Sequence, residues 1–160
     1  MVSNPPKRHF PNPDNSVVDW LLDSDPSIRW QVMLDLTGAP AHEVAIERAR
    51  VATEGWGAQL LSLQADDGCW CGAAWNRGWD STMHVLMLLR DLGLDPDSQQ
   101  ARRALNLVRE RVTWRGCGPR DCDNNGFFDG ELEPFINGQV GAIGAYFGQD
   151  VEGIIYRLLR

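Results

Sequence analysis

The sequence predicts an all-α chain arranged as a partial α/α toroid, about three helical hairpins in inner and outer layers. Three observations lead there. Gly38, Gly93 and Gly148 recur at one interval of 55 residues (93 − 38 = 148 − 93), each closing an apolar segment and followed by Pro or Asp. The segments before these glycines are apolar on nearly every face, whereas those after them are apolar on one face only. No stretch alternates apolar and polar residues between turn signals strongly enough to predict a strand.

Taken in order, residues 1–15 carry Pro5, Pro6, Pro11 and Pro13 among Asn, Asp and Lys, and are expected to be a disordered lead-in. The helical domain is expected to span 16–160. Its first inner helix holds Ile28, Trp30, Val32, Met33, Leu34 and Leu36, and stops at Gly38, because glycine enters the left-handed cap without steric cost. The first outer helix carries the stripe Ala45, Ala49, Ala52, Trp56, Leu60, Leu63. The second unit repeats the plan with inner Val85–Leu89 and outer Ala101, Ala104, Leu105, Val108 and Val112. Val140–Phe147 is the third inner helix, and the chain ends inside the third outer one. A helix apolar all round must be sheathed by neighbours, so inner rods wrapped by amphipathic ones are the simplest packing.

Composition narrows the function classes. Fifteen Lys and Arg against twenty-two Asp and Glu give a net charge of −7, which repels phosphate backbones and anionic membrane surfaces, so nucleic acid is not an expected partner. No apolar run is long enough to cross a bilayer. Four cysteines are too few for a disulfide scaffold, and Met1–Arg8 lacks a signal-peptide apolar run, so the expected location is cytoplasmic.

Between the first outer and second inner helices lies Leu60-x3-Gln64-x3-Gly68-x-Trp70. A Gln at a helix end can bond backbone groups of the next turn, Gly68 supplies that turn, and Trp70 covers the helix terminus, making a clasp between hairpins. This spacing resembles the QW repeat of squalene-hopene cyclases and related class II terpene cyclases, and the similar repeat of protein prenyltransferase β subunits. The resemblance extends from about Asp25 to the C-terminus, with the repeat itself occurring once. It implies a terpenoid-cyclase α/α toroid binding an isoprenoid or other hydrophobic substrate in a central cavity. If the protein is catalytic, the resemblance implies cyclisation of a polyprene by proton transfer, or prenyltransferase-like chemistry. A ring of this kind has about twice as many hairpins, so a second copy or a missing half-ring is the expected partner.

Candidate chemistry concentrates in the loop from Trp114 to Glu133. Asp121-Cys122-Asp123-Asn124 is similar to the cyclases' Asp-x-Asp-Asp acid motif, which makes Asp121 and Asp123 the candidate catalytic acids, although Asn124 replaces its last carboxylate. Asp121, Asp123, Asn125 and Asp129, with Gly126 for the turn, also match the alternating oxygen positions of a calcium loop, so calcium or another divalent metal is the candidate cofactor. Leu132 stands where that pattern needs a closing Glu. The rival reading is an acidic solvated turn without metal.

Zinc is less well served. Where prenyltransferase β subunits have Asp-x-Cys, this chain has Glu133-Pro134-Phe135, and Cys69, Cys71, Cys117 and Cys122 fall at spacings unusual for structural zinc. Trp30, Trp75, Trp79 and His84, on or just before inner helices, and Phe135 are candidate substrate-binding residues, since aromatic faces stabilise a cation or accept an isoprenoid chain. Trp at helical spacing is also plain core, and His84 fits a hydrogen-bonded core histidine. Two further readings stand beside the isoprenoid one. The first is a noncatalytic helical-repeat scaffold or truncated fragment; the second is a carbohydrate-active toroid in which Asp80 and Asp121 would pair across a glycosidic bond.

Overall fold

The structure, a computed structural model, describes residues 15–75, 80–114 and 124–159. The fold is all-α. Among the described residues the only β pairing is two isolated bridges, Trp70 with Ala73 and Thr113 with Gly126. Helix α1 (Asn15–Leu22) opens the described chain. Helix α2 (Pro26–Val32) runs directly into a π-helical turn, Met33–Thr37, and α3 (Ala41–Ala49) runs into a 3-10 turn, Arg50–Ala52. There follow α4 (Gly55–Ser62), α5 (Thr82–Leu92), α6 (Gln99–Arg111), a 3-10 turn Phe127–Asp129, α7 (Pro134–Tyr146) and α8 (Glu152–Leu158). No described helix is long and apolar enough to cross a membrane.

The helices pair as hairpins, α2 with α3, α5 with α6 and α7 with α8, and α5 also packs on α7. Start and stop signals explain the bounds. Asp25 caps α2 by accepting the Ser27 N–H, with Pro26 in the first turn where no donor is needed, and Ser98 and Glu133 cap α6 and α7 in the same way. Gly38, Gly93 and Gly148 take left-handed φ values of 65°, 95° and 72°, turning the chain after each first helix of a pair. Gly93 has a second reason to be glycine: a Cβ there would sit 2.6 Å from Trp30 Nε1.

The 55-residue repeat extends to buried polar groups. Ser27, Thr82 and Asn137 are spaced as the glycines are, and all are at most 2% exposed. Each fastens the start of its helix to the chain preceding it. Ser27 Oγ donates to Asp25 Oδ1 at 2.7 Å. Thr82 Oγ1 accepts the Trp70 N–H at 3.0 Å and donates to the Ala73 carbonyl at 2.7 Å. Asn137 accepts from Glu131 N at 2.8 Å and donates to Glu131 O at 2.7 Å. Burying a polar side chain is tolerable only when it is satisfied in this way.

The core lies among α5, α6 and α7, where Met83, Leu86, Leu89, Leu105, Val140 and Ile143 are almost fully buried. Each such side chain stabilises by about 2 kcal/mol relative to exposure.

Two expectations need correction. The stretch from Ala45 to Leu63 is not one amphipathic helix. Thr53 and Glu54 separate the 3-10 turn from α4, because the Asp25 carboxylate takes the Trp56 N–H at 2.8 Å and Gly55 turns with φ +65°. The inner segments are also not buried all round, since Leu34 and Leu36 are exposed on the first and Leu88 on the second.

Candidate functional site

The last turn of a helix leaves carbonyls without intrahelical partners. At the C-terminus of α5 three consecutive ones, Leu92, Gly93 and Leu94, are each met by a donor from a different helix. Trp30 Nε1 of α2 donates to Leu92 O at 2.9 Å. Arg48 Nε of α3 donates to Gly93 O at 2.8 Å. The Tyr146 hydroxyl of α7 donates to Leu94 O at 2.6 Å and accepts from Arg48 Nη2 at 2.6 Å. The Arg48 guanidinium carbon also stands 5.3 Å from the Trp30 ring centroid, a cation–π arrangement. All three hairpins therefore meet at one joint, with a cation at the negative end of the α5 dipole.

Beside this joint opens a groove of about 460 Å³. Its apolar wall is made by Trp30, Leu34, Val44, Ala45 and Pro96, and its charged members are Arg48 and Asp95. The exposed Asp95 accepts the Asp97 N–H at 2.8 Å within its own turn. Glu47, the acidic neighbour of Arg48 in sequence, pairs instead with Arg29 at 2.6 Å and Arg50 at 3.6 Å. Among the described residues no carboxylate lies within ion-pair reach of Arg48. The volume and the mostly apolar wall fall within the range of small-molecule sites.

The residues expected to bind substrate are divided by the fold. Trp30 is in the groove at the C-terminal end of α5. Trp75 and His84 lie at its N-terminal end, about 16 Å away along an 11-residue helix. There they stack on each other at 5.4 Å, and Trp75 also meets Trp114 at 5.8 Å and Phe127 at 6.1 Å. Trp114 stacks on Phe127 at 5.1 Å, and its indole N–H donates to the Phe127 carbonyl. His84 Nδ1 is 2.9 Å from the buried Ser81 hydroxyl. Phe135 is 67% exposed on the first turn of α7. Trp30 thus lies at the opposite end of α5 from Trp75 and His84; Trp79 lies outside the described residues.

Asp121 and Asp123, the candidate acids and metal ligands, also lie outside the described residues, as do Cys117 and Cys122. The other two oxygen candidates make local bonds. Asn125 Nδ2 donates to Gly130 O at 3.1 Å, and Asp129 Oδ2 accepts the Gly126 N–H at 3.1 Å. Among the described residues no three His, Cys, Asp or Glu side chains converge as metal ligands would. Cys69 is buried and Cys71 exposed, and Asp80 is exposed ahead of α5.

The clasp residues do come together. Trp70 Nε1 donates to Leu60 O at 2.7 Å, closing the last turn of α4. Gln64 Nε2 donates to Gly68 O at 3.0 Å and to Gln100 O at 3.2 Å, while Gln100 Nε2 donates back to Gln64 Oε1 at 3.2 Å. Arg103 adds a bond to the Asp66 carbonyl. The α4 end is thereby tied to α6, with Gly68 at φ +86° making the turn.

Arg48, Tyr146 and Val44 are groove and joint residues that the sequence did not single out. Tyr146 gave a signal, because a Tyr in an otherwise apolar helix needs a partner for its hydroxyl. Arg48 gave none. Comparison of the chain with family models, curated proteins and solved structures finds no match.

Proposed function

We propose that this chain is an α/α-toroid-like helical-repeat protein of the cyclase and prenyltransferase type, binding an isoprenoid or other apolar molecule in the groove beside the three-hairpin joint. The observation that carries this reading is the groove itself: about 460 Å³, walled by Trp30, Leu34, Val44, Ala45 and Pro96. An aromatic face held rigidly by its own N–H bond is a suitable surface for a flat or branched hydrocarbon. Support for the toroid-like arrangement comes from the Arg48 to Tyr146 bond, which joins the first and third hairpins. A straight stack of repeats makes contacts between neighbours only.

The test is a titration of the full chain with geranylgeraniol and with squalene, followed by calorimetry and by the indole N–H resonance of Trp30. Saturable binding with a shift of that resonance, abolished by Ala45→Phe, is the expected result. No saturable binding of either compound removes the proposal.

A second reading, an assembly module, is favoured by one observation. Trp56 at 51%, Leu63 at 70% and Leu88 at 46% stand exposed together around one shallow recess between α4 and α5. Contiguous exposed apolar surface marks interaction sites. Light scattering that returns a monomer at all accessible concentrations counts against it.

A further inference from the structure

We infer that the groove selects an apolar molecule ending in a single carboxylate, with Arg48 as the group that recognises the charge. This rests on the reading of the groove as a ligand site and adds a headgroup to it.

The argument starts from the Arg48 guanidinium. Two of its nitrogens are held by neutral acceptors, Nε by the Gly93 carbonyl and Nη2 by the Tyr146 hydroxyl. Neither removes its charge. The adjacent Glu47 is taken by Arg29 and Arg50, and no other carboxylate among the described residues reaches Arg48. Its remaining nitrogen, Nη1, has no hydrogen-bond partner among the described residues, and Arg48 is part of the groove lining. A partly buried cation on an apolar wall is costly without an anion, and the ordered guanidinium has already lost much of its freedom, so a carboxylate meets a preorganised donor. The number of charges follows from the wall. The groove carries one cation, Arg48, and so can neutralise one anionic charge; the exposed Asp95 on the same wall repels either headgroup, and a doubly charged phosphate more than a single carboxylate. The apolar body then lies along Trp30, Leu34 and Val44.

The experiment titrates the full chain by calorimetry at neutral pH with decanoate, decanol, decylammonium and decyl phosphate, all below micellar concentrations. Decanoate is expected to bind about tenfold more tightly than decanol, the scale of one charge-assisted contact. In Arg48→Gln the ratio of decanoate to decanol affinity is expected to fall to about one, whatever happens to decanol affinity itself, and a ratio still near tenfold overturns the inference. Equal binding of decanoate and decanol overturns the carboxylate assignment and leaves the apolar-ligand reading standing. Tightest binding of decylammonium or decyl phosphate overturns it too. Binding of none of the four removes both.

If Arg48→Gln does not fold, two other measurements decide. Added salt is expected to shrink the decanoate preference without weakening decanol, and a preference unmoved by salt overturns the inference. Ala45→Phe, which fills the groove from an exposed wall position, is expected to abolish binding of both, and undiminished decanoate binding places the site elsewhere.

Discussion

At Asp25 one carboxylate joins two helices. Burial pushes its pKa up, but the Ser27 hydroxyl and N–H, the Trp56 N–H and the nearby Arg29 charge outweigh this, holding it below the ordinary value of 3.8. A carboxylate depressed in the folded state contributes stability that is complete above its unfolded value and lost as pH falls through the folded one. Asp25→Asn is therefore expected to cost about 1 kcal/mol at neutral pH. The difference from the native chain narrows as pH drops below 3.8, as urea melts across that range would record. An unchanged difference would assign the cost to shape rather than charge. Asp25 before Pro26 is readable in the sequence as a helix start. Its grip on Trp56 is not, because the two are 31 positions apart and only the folded chain brings them together.

Elements were legible where they end and obscure where they join. The three stop glycines announce themselves, since no other residue enters a left-handed cap so easily. The clasp from Leu60 to Trp70 is equally visible, because Gln64 and Trp70 act on backbone within ten residues of themselves, at Gly68 and Leu60. The break at Thr53 and Glu54 is not legible in the sequence because an unbroken apolar stripe runs across it, and the capture of Trp56 N–H by a distant carboxylate prevails over that periodicity. Thr82 shows what such unseen fastenings contribute. Thr82→Val keeps the shape but leaves the Trp70 N–H and the Ala73 carbonyl each without their hydroxyl partner. A loss of about 1–3 kcal/mol is expected by chemical denaturation, whereas Thr82→Ser should recover most of it. No loss in Thr82→Val together with a full loss in Thr82→Ser would show that the methyl contact, not the hydroxyl, holds the turn.

Across the whole molecule, the repeat of hairpins is apparent from glycine spacing, but the contact between the first and third of them is not. That contact has Tyr146 reaching a residue 98 positions away, which no local pattern encodes. Tyr146→Phe deletes both hydroxyl bonds at a cost of about 1–2 kcal/mol. Native-state hydrogen exchange should then show amides of Ala41–Ala49 opening more readily while those of Gln99–Arg111 keep their protection. Uniform loosening would mean that the hairpins unfold only together. The joint at Leu92, Gly93 and Leu94 has one more consequence. Its three acceptors are main-chain oxygens, so what the surrounding helices recognise is position along the backbone rather than side-chain identity. Substituting the half-exposed Leu92 leaves every oxygen in place, but inserting a single residue there would put all three donors out of register at once.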